Sequence, residues 1–192
     1  MVPLSGGASA VVVPRTAKGS IKTQLYDYPY IDKTQRKRHG DQPLNIVFIS
    51  NGEPHADHHY RLLKDSTYNR NNHVHRVDGV NGRVAAYHAA ARTSETPWFF
   101  AVFAKLEVNP KFDWSWQPDR MQQPKHYIFH AINPVNGLQY GHQAMIAYNQ
   151  ELVLANPGLG LDFTLDSAHE VVPINSGTAQ YNATPVSYTH LT

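Results

Sequence analysis

The chain of 192 residues contains no cysteine, and this absence excludes disulfide bonds, thiolate catalysis and cysteine-ligated zinc. It also lacks any apolar run approaching the roughly 20 residues of a membrane-spanning helix. The short apolar run at residues 11–13 has no basic region ahead of it, so we expect no signal peptide. The sequence therefore predicts a cytoplasmic protein with no membrane partner.

Charged residues are scarce as well, at 17% of the chain, and the net charge is +2 with histidine neutral. That charge is too small to favour nucleic acid as a partner by itself. Aromatic residues are plentiful, with 11 Tyr, 7 Phe and 3 Trp, which indicates a folded chain rather than a disordered one. The length suits one domain with a substantial core, with or without tails.

Composition divides the chain into three parts. Residues 1–43 are rich in Gly, Ser and Pro and carry a basic run at 33–39. We expect a poorly structured segment or linker there, whose basic run is either solvated or contacts a phosphate or polymer. Residues 44–184 form the predicted domain. Residues 185–192, PVSYTHLT, resemble a translated sequencing adapter, so we expect an artefactual tail and a domain truncated at its C-terminus.

Strand and helix patterns alternate through residues 45–108. Strands are predicted at 46–49, 73–77 and 98–102, with a helix in each interval, the second of them alanine-rich at 83–92. This order is typical of an open sheet with a ligand crevice at the carboxyl ends of its strands. Neither a GxGxxG nor a Walker motif is present, which argues against a dinucleotide site or a P-loop.

Candidate ligand-binding side chains follow the first two of these strands. Glu53 and Asp57 come after the first strand, while Asp78 ends the second and Arg83 begins the next helix. Carboxylates in such places accept ribose hydroxyls or the N–H of a base, and an arginine there can reach a diphosphate. The alternatives are that Asp57 caps its helix, Asp78 is a turn residue and Arg83 is a surface residue.

The chain becomes β-rich after residue 108, with strands predicted at 126–132 and 143–148. A late cluster of acids and histidine then follows, consisting of Asp162, Asp166, His169 and Glu170. Such side chains can supply a metal ligand or a catalytic base.

Two further groups of side chains each allow a functional and a structural interpretation. Trp114 and Trp116 are flanked by Asp and Arg, which suits stacking on a sugar, but they could equally close the core or bind another domain. His55, His58 and His59 lack the supporting carboxylate of an HExxH zinc motif. We therefore expect these histidines to be solvated at the start of a helix.

Several motifs together carry a family resemblance over roughly residues 44–182. NIVFISNGEPHAD, RVDGVNGRVAAYHAAA, NPVNGLQYGH and GLDFTLDSAHEVVP resemble an uncharacterised group of glycosyltransferase-like proteins from marine tailed phages and their metagenomes. That group is similar to GT-A glycosyltransferases. The resemblance implies a GT-A-like α/β fold, in which a Rossmann-like half-sheet is followed by a mixed β-rich half, with a nucleotide-sugar site on the half-sheet.

The resemblance also implies roles for particular residues. Glu53, Asp57 and Asp78 would line the nucleotide pocket, and Arg83 would face the phosphates. His169 and Glu170 would form a late pair on the acceptor or metal side.

The chain departs from GT-A enzymes at the end of the third strand. There, GT-A enzymes carry an Asp-x-Asp motif that holds a divalent cation, Mn²⁺ or Mg²⁺, against the donor's diphosphate. This chain has Phe103, Ala104 and Lys105 instead. Lys105 could neutralise the diphosphate directly, or Glu107 could act as a shifted metal ligand.

Three functions are consistent with these features. The first is a glycosyltransferase that moves a sugar from a nucleotide-sugar donor to a phage or host polymer, with Glu170 or Asp162 as base and Lys105 or Arg83 stabilising the leaving diphosphate. The second is a catalytically degenerate module that binds a glycan or nucleotide, or docks neighbouring domains of a larger phage protein. The third is nucleic-acid binding through the basic run at residues 33–39 and the aromatic segment at residues 112–116. A phage protein would act in the infected host cytoplasm or on the virion.

Overall fold

The computed structural model describes residues 42–160 and 162–180, together with the backbone of β1 (Val2–Pro3) and β2 (Val11–Val12), two short strands that pair antiparallel. The chain divides into two units, Met1–Gln42 and Pro43–Thr192. Most of residues 1–43 and all of 185–192 lie outside the described residues, so the linker and the artefactual tail remain predictions. All elements named below belong to the second unit.

The first half of the domain is a parallel half-sheet with helices between its strands. It consists of β3 (Asn45–Ser50), α1 (Ala56–Thr67), β4 (Val74–Asp78), α2 (Arg83–Thr93) and β5 (Trp98–Phe103). Strand β3 pairs parallel with β4 on one side and with β5 on the other. Every residue of β3 is buried, which confirms the central strand predicted from its apolar run.

The second half of the domain is mixed and β-rich. It consists of β6 (Leu106–Val108), β7 (His126–Ile132), β8 (Gln139–Asn149), α3 (Gln150–Ala155) and β9 (His169–Ala179). The resulting seven-stranded sheet has the order β4-β3-β5-β8-β7-β9-β6. Strand β8 runs antiparallel to β5 and β7, whereas β9 runs parallel to β7 and antiparallel to β6. The predicted α/β class, a Rossmann-like half-sheet followed by a mixed β-rich half, is confirmed.

The two faces of the sheet carry separate hydrophobic clusters. Phe48 of β3 and Leu63 of α1 belong to one cluster, whereas Val47 of β3 and Ala90 of α2 belong to the other. Neighbouring residues of β3 point to opposite faces of the sheet, so α1 and α2 cover opposite faces. The chain adds β4 on one side of β3 and β5 on the other, so the strand order changes direction at β3. In such sheets a ligand usually binds at the carboxyl ends of the strands next to that point.

Residues 109–125 cover the α1 face with aromatic side chains. The ring of Trp114 lies 5.3 Å from that of Phe100 at an interplanar angle of 87°, and Trp114 has 0% exposed surface. Trp116 packs against Tyr127 and Phe129 of the same cluster. The structure therefore corrects the sugar-stacking role considered for Trp114, because a ring without exposed surface cannot stack on a ligand. Trp116 is partly buried and packs against this cluster.

Helix α2 lies close to the sheet because its buried face is mostly alanine. Ala86, Ala90 and Ala91 are buried together with Tyr87, and small side chains let a helix approach a strand closely. The helix begins after Gly82, whose φ of 92° is a left-handed value that favours glycine. None of the helices described is long and apolar enough to cross a membrane.

Candidate functional site

A cavity of about 290 Å³ opens at the carboxyl edge of the half-sheet, on the α2 side. Its walls come from the ends of β3 and β5, the loops after β3 and β4, the first turns of α2, and β8. The lining residues are Ile49, Ser50, Asn51, Glu53, Val80, Gly82, Arg83, Ala86, Tyr87, Phe103, Lys105 and Gln143. The lining combines apolar side chains with a few charged and polar ones, as in small-molecule sites.

The lining of the cavity includes two cationic side chains, Lys105 and Arg83. Lys105 follows the end of β5 and is half-buried, and Arg83 is the first residue of α2. Burial lowers the pKa of the Lys105 ammonium, the positive charge of Arg83 lowers it further, and Glu53 and Tyr140 raise it. The two cationic side chains therefore interact electrostatically, which favours the binding of an anion between them.

The start of α2 adds to this positive character. Gly82 and Arg83 both line the cavity, no side chain caps the helix N-terminus, and no acidic residue lies in its first turn. The first N–H groups of a helix and its macrodipole attract anions, phosphate groups in particular. The helix start and the two cations thus favour the same kind of ligand.

Glu53 is the carboxylate among the lining residues, and its role in nucleotide binding stays a prediction. Its Oε2 accepts the main-chain N–H of Asn51 at 2.6 Å, which closes a tight turn after β3. The side chain is therefore oriented by its own loop at the mouth of the cavity.

Asp57 and Asp78, which were expected to line a nucleotide pocket, are instead paired with Arg76 of β4. Arg76 Nη1 lies 2.6 Å from Asp57 Oδ1, and its Nη2 lies 3.5 Å from Asp78 Oδ1. Ser50 Oγ also donates to Asp78. Neither aspartate is among the residues that line the cavity; the structure shows both in ion pairs with Arg76, and their ligand-binding role stays a prediction.

Sequence reasoning did not identify Arg76. Its guanidinium lies over the rings of Phe48 and Tyr60, at 5.8 and 5.3 Å from their centroids, and its Nε donates to Ser50 Oγ at 3.1 Å. Arg76 thereby fixes Ser50, which lines the cavity. The sequence did contain a signal for the pairing of Arg76 with Asp78. Arg76 lies two residues before Asp78 on the same strand, and residues two apart on a strand share a face.

Asp162 lies behind the cavity and acts on it through Gln143. Its Oδ2 accepts from Gln143 Nε2 at 2.8 Å, and its Oδ1 accepts the main-chain N–H groups of Thr164 and Leu165. Burial raises the pKa of the Asp162 carboxyl, but these hydrogen bonds and the charge of Arg83 outweigh burial, and the pKa is lowered. Asp162 is not among the residues that line the cavity; its contact there is through Gln143, and its catalytic role stays a prediction.

His169 and Glu170 lie at the opposite edge of the sheet from the cavity. His169 pairs in register with His126 at the start of β7, and this level of the sheet corresponds to the amino end of β5. Glu170 forms an ion pair with Lys125, with 2.5 Å between Oε2 and Nζ. The pair of His169 and Glu170 was expected on the acceptor or metal side with Glu170 as a candidate base, but the strand direction places it away from the cavity.

The residues at the cavity do not fit a divalent cation. In the ranges 42–160 and 162–180, no group of three or more His, Asp or Glu side chains is arranged to hold a metal ion. Glu107 pairs with Thr178 at the far end of the 11-residue strand β9 from His169, a separation of roughly 30 Å at ~3.3 Å per residue. These two proposed ligands cannot share one ion, and the cavity itself presents Lys105 and Arg83, which repel cations.

No family model matches the sequence, and no curated protein matches it. The fold is similar in outline to several solved structures. HddC from Yersinia pseudotuberculosis is 12% identical at a TM-score of 0.43, over 70% of this chain and 91% of that one. A glycosyltransferase involved in glycosylation of the major capsid of PBCV-1 is 12% identical at a TM-score of 0.40, over 67% of this chain and 82% of that one.

The 4-diphosphocytidyl-2C-methyl-D-erythritol synthase from Anaerococcus prevotii is 10% identical at a TM-score of 0.42, over 74% of this chain and 93% of that one.

Proposed function

We propose that the cavity binds the diphosphate of a nucleotide sugar without a divalent cation. The observation that carries this proposal is the pair of cationic side chains, Lys105 and Arg83, in the wall of a cavity that also contains the start of α2. A nucleotide sugar carries its negative charge on the diphosphate. The fixed ammonium and guanidinium groups would therefore take the electrostatic role that a metal ion has in metal-dependent transferases.

The apolar wall suits the remainder of such a ligand. Ile49, Val80 and Phe103 face the cavity together with the ring of Tyr87, and flat apolar surfaces accommodate a nucleobase or one face of a sugar. A volume of about 290 Å³ is at the lower end of the usual range for small-molecule sites. We infer that part of a nucleotide sugar is enclosed and that the rest projects towards an acceptor.

If the protein is an enzyme, the reaction is transfer of the sugar to a hydroxyl of a glycan or other polymer of the phage or its host. The bond from the anomeric carbon to the diphosphate breaks, a bond to the acceptor oxygen forms, and the hydroxyl proton passes to a base. Lys105 and Arg83 would stabilise the leaving diphosphate. We assign the base to Glu53, because it is the carboxylate that lines the cavity, whereas Asp162 and Glu170 are not among the lining residues.

The second candidate function is binding without transfer, as a glycan- or nucleotide-binding module that docks neighbouring domains of a phage protein. It is favoured by the replacement of the metal-binding motif with Phe103 and Lys105 and by the engagement of Glu53 with its own loop. The Glu53→Gln variant distinguishes the two candidates. It should abolish transfer if the protein is a transferase, and it should not weaken diphosphate binding, because it removes a negative charge from the cavity.

The test is calorimetric titration of the full chain with UDP, GDP, UDP-glucose and GDP-mannose, in EDTA and then with Mn²⁺. At least one probe should bind in EDTA. Lys105→Met and Arg83→Gln should each weaken that binding roughly 10- to 100-fold, the usual effect of losing a charged hydrogen bond. Lys111→Met and Arg92→Gln, which change exposed cations outside the cavity, are the matched controls and should leave the affinity unchanged.

Two results would overturn the proposal. One is the absence of binding by any of the four probes, and the other is binding that requires Mn²⁺ and is insensitive to Lys105→Met. Release of UDP or GDP in the presence of a polysaccharide acceptor, lost in Glu53→Gln, would identify the protein as a transferase rather than a binding module.

A further inference from the structure

The turn between β5 and β6 places Lys105 in the cavity, and hydrogen bonds hold its main chain on both sides. The N–H of Ala104 donates to the carbonyl of Ile49 at 2.9 Å, and the N–H of Gln180 donates to the carbonyl of Lys105 at 2.7 Å. The carbonyl of Ala104 is bound by a side chain, since His59 Nδ1 lies 2.5 Å from it. The turn is thus fixed by β3, by the end of β9 and by α1.

His59 was expected to be solvated, but it lies in the interior with 1% of its surface exposed. The carbonyl of Ala104 can only accept, so Nδ1 carries a proton and donates to it. Nε2 is buried and has no hydrogen-bond partner in the part of the chain that the structure describes. A leucine would fill this position without a buried, unpaired nitrogen, so the polar contribution of the imidazole is its bond to Ala104.

We propose that His59 is a positioning residue of the cavity, because its hydrogen bond to the Ala104 carbonyl fixes the direction in which Lys105 leaves the sheet. Ala104 is buried, so loss of the donor would leave its carbonyl unpaired away from water. The turn would then rotate to solvate that carbonyl. Lys105, the next residue, would turn with it, and its ammonium would move out of the cavity wall.

The expected loss of ligand affinity rests on the proposed function, but the effect of His59 on the position of Lys105 does not. Burial lowers the pKa of Lys105, and the charge of Arg83 lowers it further. A turn that released Lys105 to solvent would remove both effects, and the pKa would rise towards that of an exposed lysine. The titration of Lys105 therefore reports the geometry of the turn without any ligand.

Three substitutions separate the hydrogen bond from the packing of the side chain. His59→Asn keeps an N–H donor at the position of Nδ1. His59→Gln places its amide about one bond further out, near the position of Nε2, and His59→Leu removes the donor altogether. Carbon-13-labelled lysine in the full chain allows the Lys105 signal to be titrated by NMR, with assignment by its loss in Lys105→Met. The signal of exposed Lys111 is the internal control.

In the wild type and in His59→Asn, Lys105 should titrate at lower pH than Lys111. In His59→Gln and His59→Leu its titration should move towards that of Lys111, and the affinity for UDP or GDP in EDTA should fall ~10-fold, the effect of one charged hydrogen bond. His59→Asn should bind within ~3-fold of the wild type. Should His59→Leu fail to fold, His59→Gln carries the same comparison.

An unchanged Lys105 titration in both His59→Gln and His59→Leu would overturn the positioning role, as would a wild-type Lys105 that titrates together with Lys111. The two proposals fail separately. If the wild type binds neither UDP nor GDP while the Lys105 titration moves as expected, the proposed function is wrong and the role of His59 in placing Lys105 stands.

Discussion

His126 should make the domain sensitive to acid, because this side chain is buried in its neutral form. It begins β7 with 0% of its surface exposed, and its Nδ1 accepts the main-chain N–H of Asn149 at 3.1 Å. Burial lowers the pKa of the imidazole to about 4, with a further contribution from the nearby His169. Protonation would also remove the acceptor on which the Asn149 N–H depends. His126 therefore binds a proton more weakly in the folded state than in the unfolded chain.

The sign and size of the effect follow from the two pKa values of His126. The unfolded chain binds a proton near pH 6.5 and the folded protein only near pH 4, so stability is complete above pH 6.5 and is lost as the pH falls through that window. The two pKa values of His126 differ by roughly 2.5, and at ~1.4 kcal/mol for each pH unit this difference lowers the free energy of unfolding by ~3 kcal/mol in acid. About 2 kcal/mol of this is already lost at pH 5, a large part of the 5–15 kcal/mol typical of a domain.

The assay is urea unfolding of the wild type and His126→Asn at pH 7.5, 6, 5 and 4.5. Asparagine offers an acceptor near the position of Nδ1 and does not titrate, so the variant should lose less stability than the wild type on acidification, by about 2 kcal/mol at pH 5. His58→Asn, at an exposed histidine, should follow the wild type. Parallel stability curves for the wild type and His126→Asn would refute the reasoning, whatever the stability of the variant at neutral pH.

Two further predictions test the placement of residues outside the cavity. Trp114→Ala should destabilise the domain by ~3–5 kcal/mol in urea unfolding, as expected for a fully buried aromatic side chain, and a loss below ~1 kcal/mol would contradict its place in the core. Glu170→Gln should leave the affinity for UDP and GDP within ~2-fold of the wild type, because Glu170 pairs with Lys125 at the far edge of the sheet; a tenfold change would show that this edge contributes to the site.

The first half-sheet could be predicted from the sequence because its signals are local. The apolar run of β3, the alternation of β4 and the alanine-rich pattern of α2 each specify their own element. Helix α3 was not predicted, since six residues are too few to show a helical period. Its signal lies in the cap, where the side chain of Asn149 accepts the N–H of Leu152 at 3.0 Å.

The candidate site was only partly predictable, because its geometry depends on strand direction and on pairs distant in sequence. Glu53, Arg83 and Lys105 lie together at the carboxyl edge, as the order of the strands implied. Glu170 does not, because β9 runs parallel to β7, and an antiparallel β9 would have placed it at the cavity edge. Sequence patterns do not specify that direction.

The charge that follows β5 determines what the cavity can hold. Carboxylates at that point would first attract a divalent cation, which would then attract a diphosphate, whereas under the proposed function Lys105 would attract the diphosphate itself. Burial penalises the Lys105 ammonium and lowers its pKa, and a bound anion would relieve that penalty, so ligand and ammonium stabilise each other. A fixed cation cannot be removed by a chelator. Affinity at this site should therefore depend on pH and salt rather than on metal concentration.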